Sequence, residues 1–361
     1  MKEAVRLVLD GVTKQMPFRN YYEQRNGRVA RDIAGFCGID YVGCDGGSYD
    51  KGSLYLVPAK TVTKRQAEIL GASDDESFYG VAVEHRAHVG KAILHSTNSL
   101  KVPRFYSAEF ACSVSDLVLP GITCFSRGDV AVGFEKSFNE TVRLKVSEAS
   151  DGHGQFLIRD TGELSTAMST MSDREISESG VVLESNVFDG MTVSVGVLKV
   201  AGGVYGFVAK QKNDIAPEDG RNRYIGAEIY VVRDGMEGLM RDGMLMDRYG
   251  RAVMAGNSFL GRYSYFEPIF SRVSFDYLQG LNSRGEMVGG ITDITGRLGG
   301  SCPAVMQGIS VLRGNREVLR VLADVSLDYK PEGKYEEGEM KLYINHPTLV
   351  ISARVLEESY E

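Results

Sequence analysis

Apolar and polar residues alternate along TVSVGVLKV (192–200) and VYGFVAK (204–210), and the Gly202-Gly203 step between them predicts an antiparallel hairpin. The same reading extends to both sides. VRLKV (142–146) and QFLIR (155–159) flank a short glycine-bearing loop, a helix is expected from Glu163 to Met171, and GVVLES (180–185) has the apolar character of a buried strand. AEIYVVR (227–233), RVSFDYL (272–278) and GEMVGGITDIT (285–295) add strands with few long helices between them. MKLYINHPTLVISARVL (340–356) reads as a further strand pair. Residues 1 to about 80 differ: the strand SLYLVP (53–58) and the helical run KRQAEIL (64–70) fit a small α/β layer. The fold class expected is α+β with antiparallel sheets, distinct from a doubly wound nucleotide fold.

Composition sharpens this picture. Forty-two glycines against nine prolines point to tight turns between short strands rather than long bundled helices. At 361 residues the chain is too long for one ordinary core, and roughly 150 residues per domain suggests two or three. No uncharged apolar run approaches the roughly 20 residues of a membrane helix. MKEAVRLVLDG at the start carries Lys2, Glu3, Arg6 and Asp10 and no apolar secretory core, so a cytoplasmic location is expected. A net charge of −7 argues against extended nucleic-acid binding, which needs a basic face. The five cysteines include no C-x-x-C pair and are expected to be reduced thiols.

Two constellations carry candidate chemistry. Lys145 ends a strand and precedes a loop with Gly152, His153 and Gly154. A lysine can hold a phosphate as a point charge, and glycines let backbone N–H groups turn toward an anion. A plain hairpin turn would use the same residues. Further on, Asp276 lies in an apolar strand and Asp293 in ITDITGRLGGS (291–301), with a turn near NSRG (282–285) between them. As hairpin neighbours the two acids would face one point, and both stay ionised only with a counter-charge. Magnesium suits such a pair, because it is usually shared between carboxylates and substrate phosphates. Arg297 would then face charge developing on a transferring phosphoryl group. A structural Asp–Arg bridge is the alternative. His85, His88 and His95 lack the further ligands of a zinc site, and the rings of RYSYF (262–266) are expected to pack a core.

Taken in order, these pieces resemble the ATP-grasp superfamily. Its first lysine matches Lys91 in AHVGKAIL (87–94), and its second, before the lid's glycine loop, matches Lys145. Its adenine-reading hinge strand is similar to VVLESNV (181–187), with Glu184 and the backbone near Val187 available to the base. Its two metal-binding acids correspond to Asp276 and Asp293, and its acid-x-Asn-x-Arg-x-Gly-Gly pattern resembles DITGRLGG (293–300), which puts Thr295 at the asparagine position. More narrowly, GSLYLVP (52–58), FYGVAV (78–83), LVLPG (117–121) and the segment from Leu183 to Gly196 resemble bacterial ATP-grasp proteins of a biotin carboxylase-like group. The resemblance covers about residues 50 to 320. It departs at Thr295, at the shorter Asp293 where a glutamate is usual, and in a lid loop with two glycines rather than four or more.

The resemblance implies an N-terminal α/β domain (1–90), a linker helix and lid (91–183), and a C-terminal antiparallel-sheet domain with the metal site (184–361). It implies ATP with Mg²⁺ or Mn²⁺, and a ligase that activates a small carboxylate as an acyl phosphate for attack by an amine or thiol. Lys91, Lys145, Gly152, His153, Gly154, Glu184 and Val187 would contact the nucleotide. Asp276, Asp293 and Thr295 would bind metal, and Arg297 and Lys145 would act in catalysis. A phosphotransferase, a biotin carboxylase-like enzyme and a non-catalytic nucleotide-binding module are the other readings, and a homo-oligomer is compatible with each.

Overall fold

A computed structural model describes residues 2–9, 19–44, 49–136, 141–147, 149, 154–216, 222–329, 341–346 and 349–360. The chain opens with β1 (Ala4–Val8), α1 (Arg19–Cys37), β2 (Asp40–Tyr41) and β3 (Leu54–Pro58), which form a parallel sheet in the order β2-β1-β3. Every residue of β3 is buried, as its unbroken apolar run demands of a strand covered on both faces. Then come β4 (Val62–Thr63), α2 (Lys64–Leu70) and β5 (Val81–Val83). Thr63 and Gln66 cap α2 reciprocally, and Gly71 ends it in the left-handed conformation.

The middle of the chain runs through α3 (Ala108–Ser113), β6 (Gly121–Cys124), α4 (Arg127–Lys136), β7 (Val142–Val146), β8 (Gln155–Ile158), α5 (Thr161–Ser169), α6 (Asp173–Ser179) and β9 (Val181–Ser185). Its four strands make a separate sheet in the order β6-β9-β7-β8, closed below by a core that includes Leu144, Ile158, Ile176 and Leu183. The boundary expected between 183 and 184 falls inside β9, which stays in this sheet to Ser185.

Only Asn186 and Val187 separate β9 from β10 (Phe188–Val200), which opens the main sheet with β11 (Gly203–Ile215) and β12 (Asn222–Arg233). After α7 (Gly235–Arg241) and α8 (Gly243–Tyr263), β13 (Ile269–Phe270) returns to pair with β5. β14 (Arg272–Leu281), β15 (Met287–Thr295), α9 (Cys302–Gly314), β16 (Val318–Asp328), β17 (Lys341–His346) and β18 (Leu349–Tyr360) complete the order β15-β14-β10-β11-β12-β16-β18-β17, antiparallel throughout. Alternation along β10 and β11 divides two cores. Leu198, Phe207 and Ala209 face α1 and α9, whereas Val193, Val195, Val197 and Val208 face α7 and α8.

One expectation needs correction. The glycine count argued against long helices, yet α8 runs 21 residues and contains four glycines. Glycine lowers helix propensity by about 1 kcal/mol, but Leu245, Tyr249, Ala252, Val253, Gly256, Phe259 and Tyr263 recur at helical spacing and are buried. Burial of that face outweighs the propensity. The 262–266 cluster packs as expected at Tyr263 and Phe266, while Tyr265 is exposed. All five cysteines are free thiols, and burial pushes Cys124 up to about 12. Among the described residues no helix is long and apolar enough to cross a membrane.

Candidate functional site

The β14–β15 hairpin brings the two acids together. Asp276 and Asp293 are direct cross-strand partners, and Ser274 pairs with Thr295 two residues along, so all four share one face. Ser194 donates to Asp276 Oδ1 at 2.6 Å, and Gln211 Nε2 donates to Ser194 Oγ at 3.1 Å. These donors do not discharge the site. Burial first, and Asp293 second, push the Asp276 carboxyl above the usual carboxylate range.

Arg272 fixes the backbone beyond the acids. Its buried guanidinium donates to Thr295 O (2.8 Å) and Arg297 O (2.9 Å). The loop is held from the other side by Val81 N, which donates to Gly296 O at 2.9 Å. At Gly80 the backbone is left-handed (φ +116°), and a Cβ would lie 2.7 Å from Gly296 O, so the close approach needs glycine there. Arg297 itself is partly exposed and donates to Leu298 O (3.1 Å). Among the described residues it forms no ion pair, so the expected alternative of an Asp–Arg bridge is not found.

Lys91 joins this hairpin to the smaller sheet. Its buried Nζ lies 3.0 Å from Asp293 Oδ2 and donates to Ala149 O at 2.8 Å, in the segment that follows Lys145. Residues 91, 149 and 293 thus meet at one ammonium group. Within the smaller sheet, Lys145 on β7 is bonded to Glu184 Oε2 on β9, both nearly fully buried. His95 Nε2 stands 3.3 Å from Glu184 Oε1, outside good hydrogen-bond geometry. Burial alone would raise Glu184, but Lys145 and His95 outweigh it and hold the carboxyl below its usual range. Glu184 was expected at the base; in this structure its oxygens face Lys145 and His95. Val187 sits in the two-residue link between the sheets. Gly154 closes the β7–β8 turn with φ +62°, and Gly152 and His153 lie outside the described residues.

The donor set at the acid pair is two carboxylates and a threonine hydroxyl, all hard oxygens. Among the described residues no group of three or more His, Cys, Asp or Glu could hold a metal. His88 stacks on Phe266 and its Nε2 faces Phe105 O, so it belongs to a core. The set fits magnesium, which needs only one or two carboxylates when water and phosphate oxygens fill the other positions. A divalent cation would also relieve the repulsion that raises Asp276.

Sequence reasoning singled out the acids and lysines but not Arg272, Ser194, Gln211 or the contact of His95. The available signal was polar residues at period-2 positions of otherwise apolar strands, as Ser194 is in TVSVGVLKV.

No curated protein matches the chain. Among solved structures, the biotin carboxylase domain of Hydrogenobacter thermophilus 2-oxoglutarate carboxylase, in complex with MgADP, ADP and bicarbonate, superposes with a TM-score of 0.57 at 12% identity, covering 96% of this chain and 85% of that one. N5-carboxyaminoimidazole synthetase from Staphylococcus aureus, complexed with ADP, gives 0.52 at 13% identity, covering 99% and 94%. D-alanyl-alanine synthetase A from Vibrio cholerae gives 0.52 at 11%, covering 87% and 94%. These are ATP-grasp proteins, and the chain has the ATP-grasp fold that its motifs resemble. A family model described as "Protein of unknown function (DUF3182)" matches residues 13–350.

Proposed function

The chain belongs to that family of proteins of unknown function, and from its fold and site we propose that it is an ATP-dependent ligase. In this reading a small carboxylate takes the γ-phosphoryl group of ATP, giving ADP and an acyl phosphate. An amine or thiol then attacks the acyl carbon, phosphate leaves, and the nucleophile gives up its proton. Lys91 and Lys145 hold phosphates, and Gly152, His153 and Gly154 contact the nucleotide with them. The link at Val187, beside Glu184, borders the base. Asp276, Asp293 and the Thr295 hydroxyl hold Mg²⁺ or Mn²⁺, which when bound supplies positive charge to the phosphates. Arg297, free of any described carboxylate, faces the phosphoryl group in transfer. Such chemistry proceeds by positioning and electrostatics and needs no side-chain nucleophile. Residues 1–90, a lid ending with β9, and the main-sheet domain are the corresponding parts, in a cytoplasmic protein.

The observation that supports this reading most is the Lys91 ammonium, 3.0 Å from Asp293 Oδ2 and 2.8 Å from Ala149 O. It joins a cation from the first third of the chain, the segment after the second lysine and one of the paired acids. Fold likeness adds to it, because two of the neighbours are described in complex with ADP, one of them also with bicarbonate. The test is ADP release with Mg²⁺ across panels of carboxylates and amines, with Asp293→Ala as control. ADP and phosphate formed only when both substrates are present support the ligase. Release that the Asp293→Ala variant retains contradicts it.

A further inference from the structure

The group that the proposed reaction leaves unused is His95. It is buried at 3% exposure, beside a glutamate buried at 2%, and neither His95 Nε2 nor Glu184 Oε1 has a hydrogen-bond partner. Each of these atoms has only the other, across 3.3 Å, so the contact is a loose electrostatic one. The fold nonetheless builds it. Tyr106 Oη donates to His95 O at 2.9 Å, fixing the backbone. A Cβ at Gly121 would lie 3.0 Å from the imidazole Cε1 and Nδ1, so β6 offers the ring a space only glycine leaves.

We propose that His95 is a positioning residue that sets how tightly Glu184 holds Lys145, and so how readily Lys145 is given up to a nucleotide phosphate. The idea rests on the reading of Lys145 as a phosphate-binding residue. Glu184 has two oxygens. One is bonded to Lys145 and the other faces His95 across 3.3 Å. Whatever charge or hydrogen bond His95 supplies to the second oxygen is taken from the attraction that Glu184 exerts on Lys145. Imidazolium gives most, a neutral N–H donor less, and an apolar side chain nothing. Lys145 is therefore released most easily when His95 is protonated.

The charged surroundings leave His95 in control of that oxygen. Glu184 faces it from β9, and Lys145 stands behind the carboxylate on β7. Arg143, opposite Glu184 in the β7–β9 register, donates to Asn186 Oδ1 at 2.8 Å and acts on Glu184 only through its charge. Lys91, on the imidazole's own segment, is committed to Asp293 and Ala149. β6 brings an uncharged glycine, and Tyr106 donates only to the backbone. Histidine is the ordinary side chain that gains charge between about pH 8 and pH 5, so the effect is read as a pH profile.

The experiment measures MgADP affinity by calorimetry for wild type, His95→Gln and His95→Leu. The expected result is about tenfold weaker binding by His95→Leu, with His95→Gln restoring wild-type affinity to within about twofold at about pH 8. At about pH 6 the wild type should gain several-fold over His95→Gln. Parallel pH profiles for those two proteins, or equal affinities for all three, overturn the proposal. A nucleotide-free measurement separates it from the functional reading. By NMR, the Lys145 ammonium protons should exchange with solvent severalfold more slowly in His95→Leu than in the wild type, with His95→Gln close to the wild type. If the wild type binds no MgADP, the ligase reading fails and this exchange alone decides: equal exchange in the three proteins overturns the coupling.

Discussion

The smaller sheet buries a carboxylate and the main sheet half-buries one, and they treat them in opposite ways. Glu184, between β6 and β7, is matched by Lys145 and approached by His95, and its carboxyl is held below the usual range despite burial. Asp276, on β14, is matched by another acid, and its carboxyl is pushed above that range by burial and by Asp293. Charge is balanced within the smaller sheet, whereas on the main one Lys91 meets Asp293 and Asp276 has no ion-pair partner among the described residues. A folded chain keeps such an unmatched acid where a cation from outside is to be bound, because stability alone would remove it. In the proposed reading the comparison separates two roles: the acids of the main sheet would hold a cation, and the smaller sheet holds the lysine proposed to meet a phosphate.

The largest expected effect tests the balanced side. Glu184→Gln leaves the Lys145 ammonium buried without a counter-charge and should cost about 3–5 kcal/mol in denaturant unfolding. Lys145→Met/Glu184→Gln, which removes both charges, should recover most of that loss. A double variant as unstable as the single one would mean that the pair is not the source of the cost. Arg272→Leu comes next. It strips Thr295 O and Arg297 O of their donor and should cost about 1–3 kcal/mol. The loop bearing Arg297 should then exchange its amide protons faster than β14 does.

A smaller effect, of opposite sign, tests the unbalanced side. Asp276→Asn removes the repulsion with Asp293 and should stabilise the fold on the order of 1 kcal/mol near neutrality, while weakening Mg²⁺-dependent nucleotide binding. The two acids should also differ in pH dependence. Glu184 has a lowered folded value, so its contribution is present above the unfolded value and is lost as pH falls through the folded one. Asp276 has a raised folded value, so it costs stability above that value, and the cost is relieved as pH falls through it. Unfolding free energies followed from neutrality to below the usual carboxylate range should therefore show the Asp276→Asn advantage shrinking on acidification. An advantage constant with pH would place its origin elsewhere.

Much of this was legible in the residues because the main sheet is built from hairpins, whose register is set locally. Asp276 and Asp293 are separated by one turn, which suggested their pairing, but the register that makes them partners depends on a bulge between Asp276 and Tyr277. The hairpin at Gly202-Gly203 and the β7–β8 turn after Lys145 were readable for the same reason. Contacts spanning long separations were not. Lys91 reaches Asp293 across some two hundred residues, and the motif order suggested a shared site without fixing which groups touch. His95 was weighed only as a metal ligand, since nothing local marks an imidazole as the neighbour of a carboxylate on β9. Arg272 read as the polar start of an apolar strand, and its role depends on a loop that returns to it from beyond β15. The long helix α8 carried a clear periodic apolar face that the glycine count obscured.

The central claim is that the excess negative charge at Asp276 and Asp293 binds the metal of a metal–nucleotide complex whose phosphates are met by Lys91 and Lys145. The measurement closest to that claim is the ADP affinity of the wild type and of Asp293→Asn, each with and without Mg²⁺. The wild type should bind ADP at least about tenfold more tightly with the metal than without it, and Asp293→Asn should lose most of that gain. Equal gains from Mg²⁺ in the two proteins, or no binding by the wild type, would contradict it.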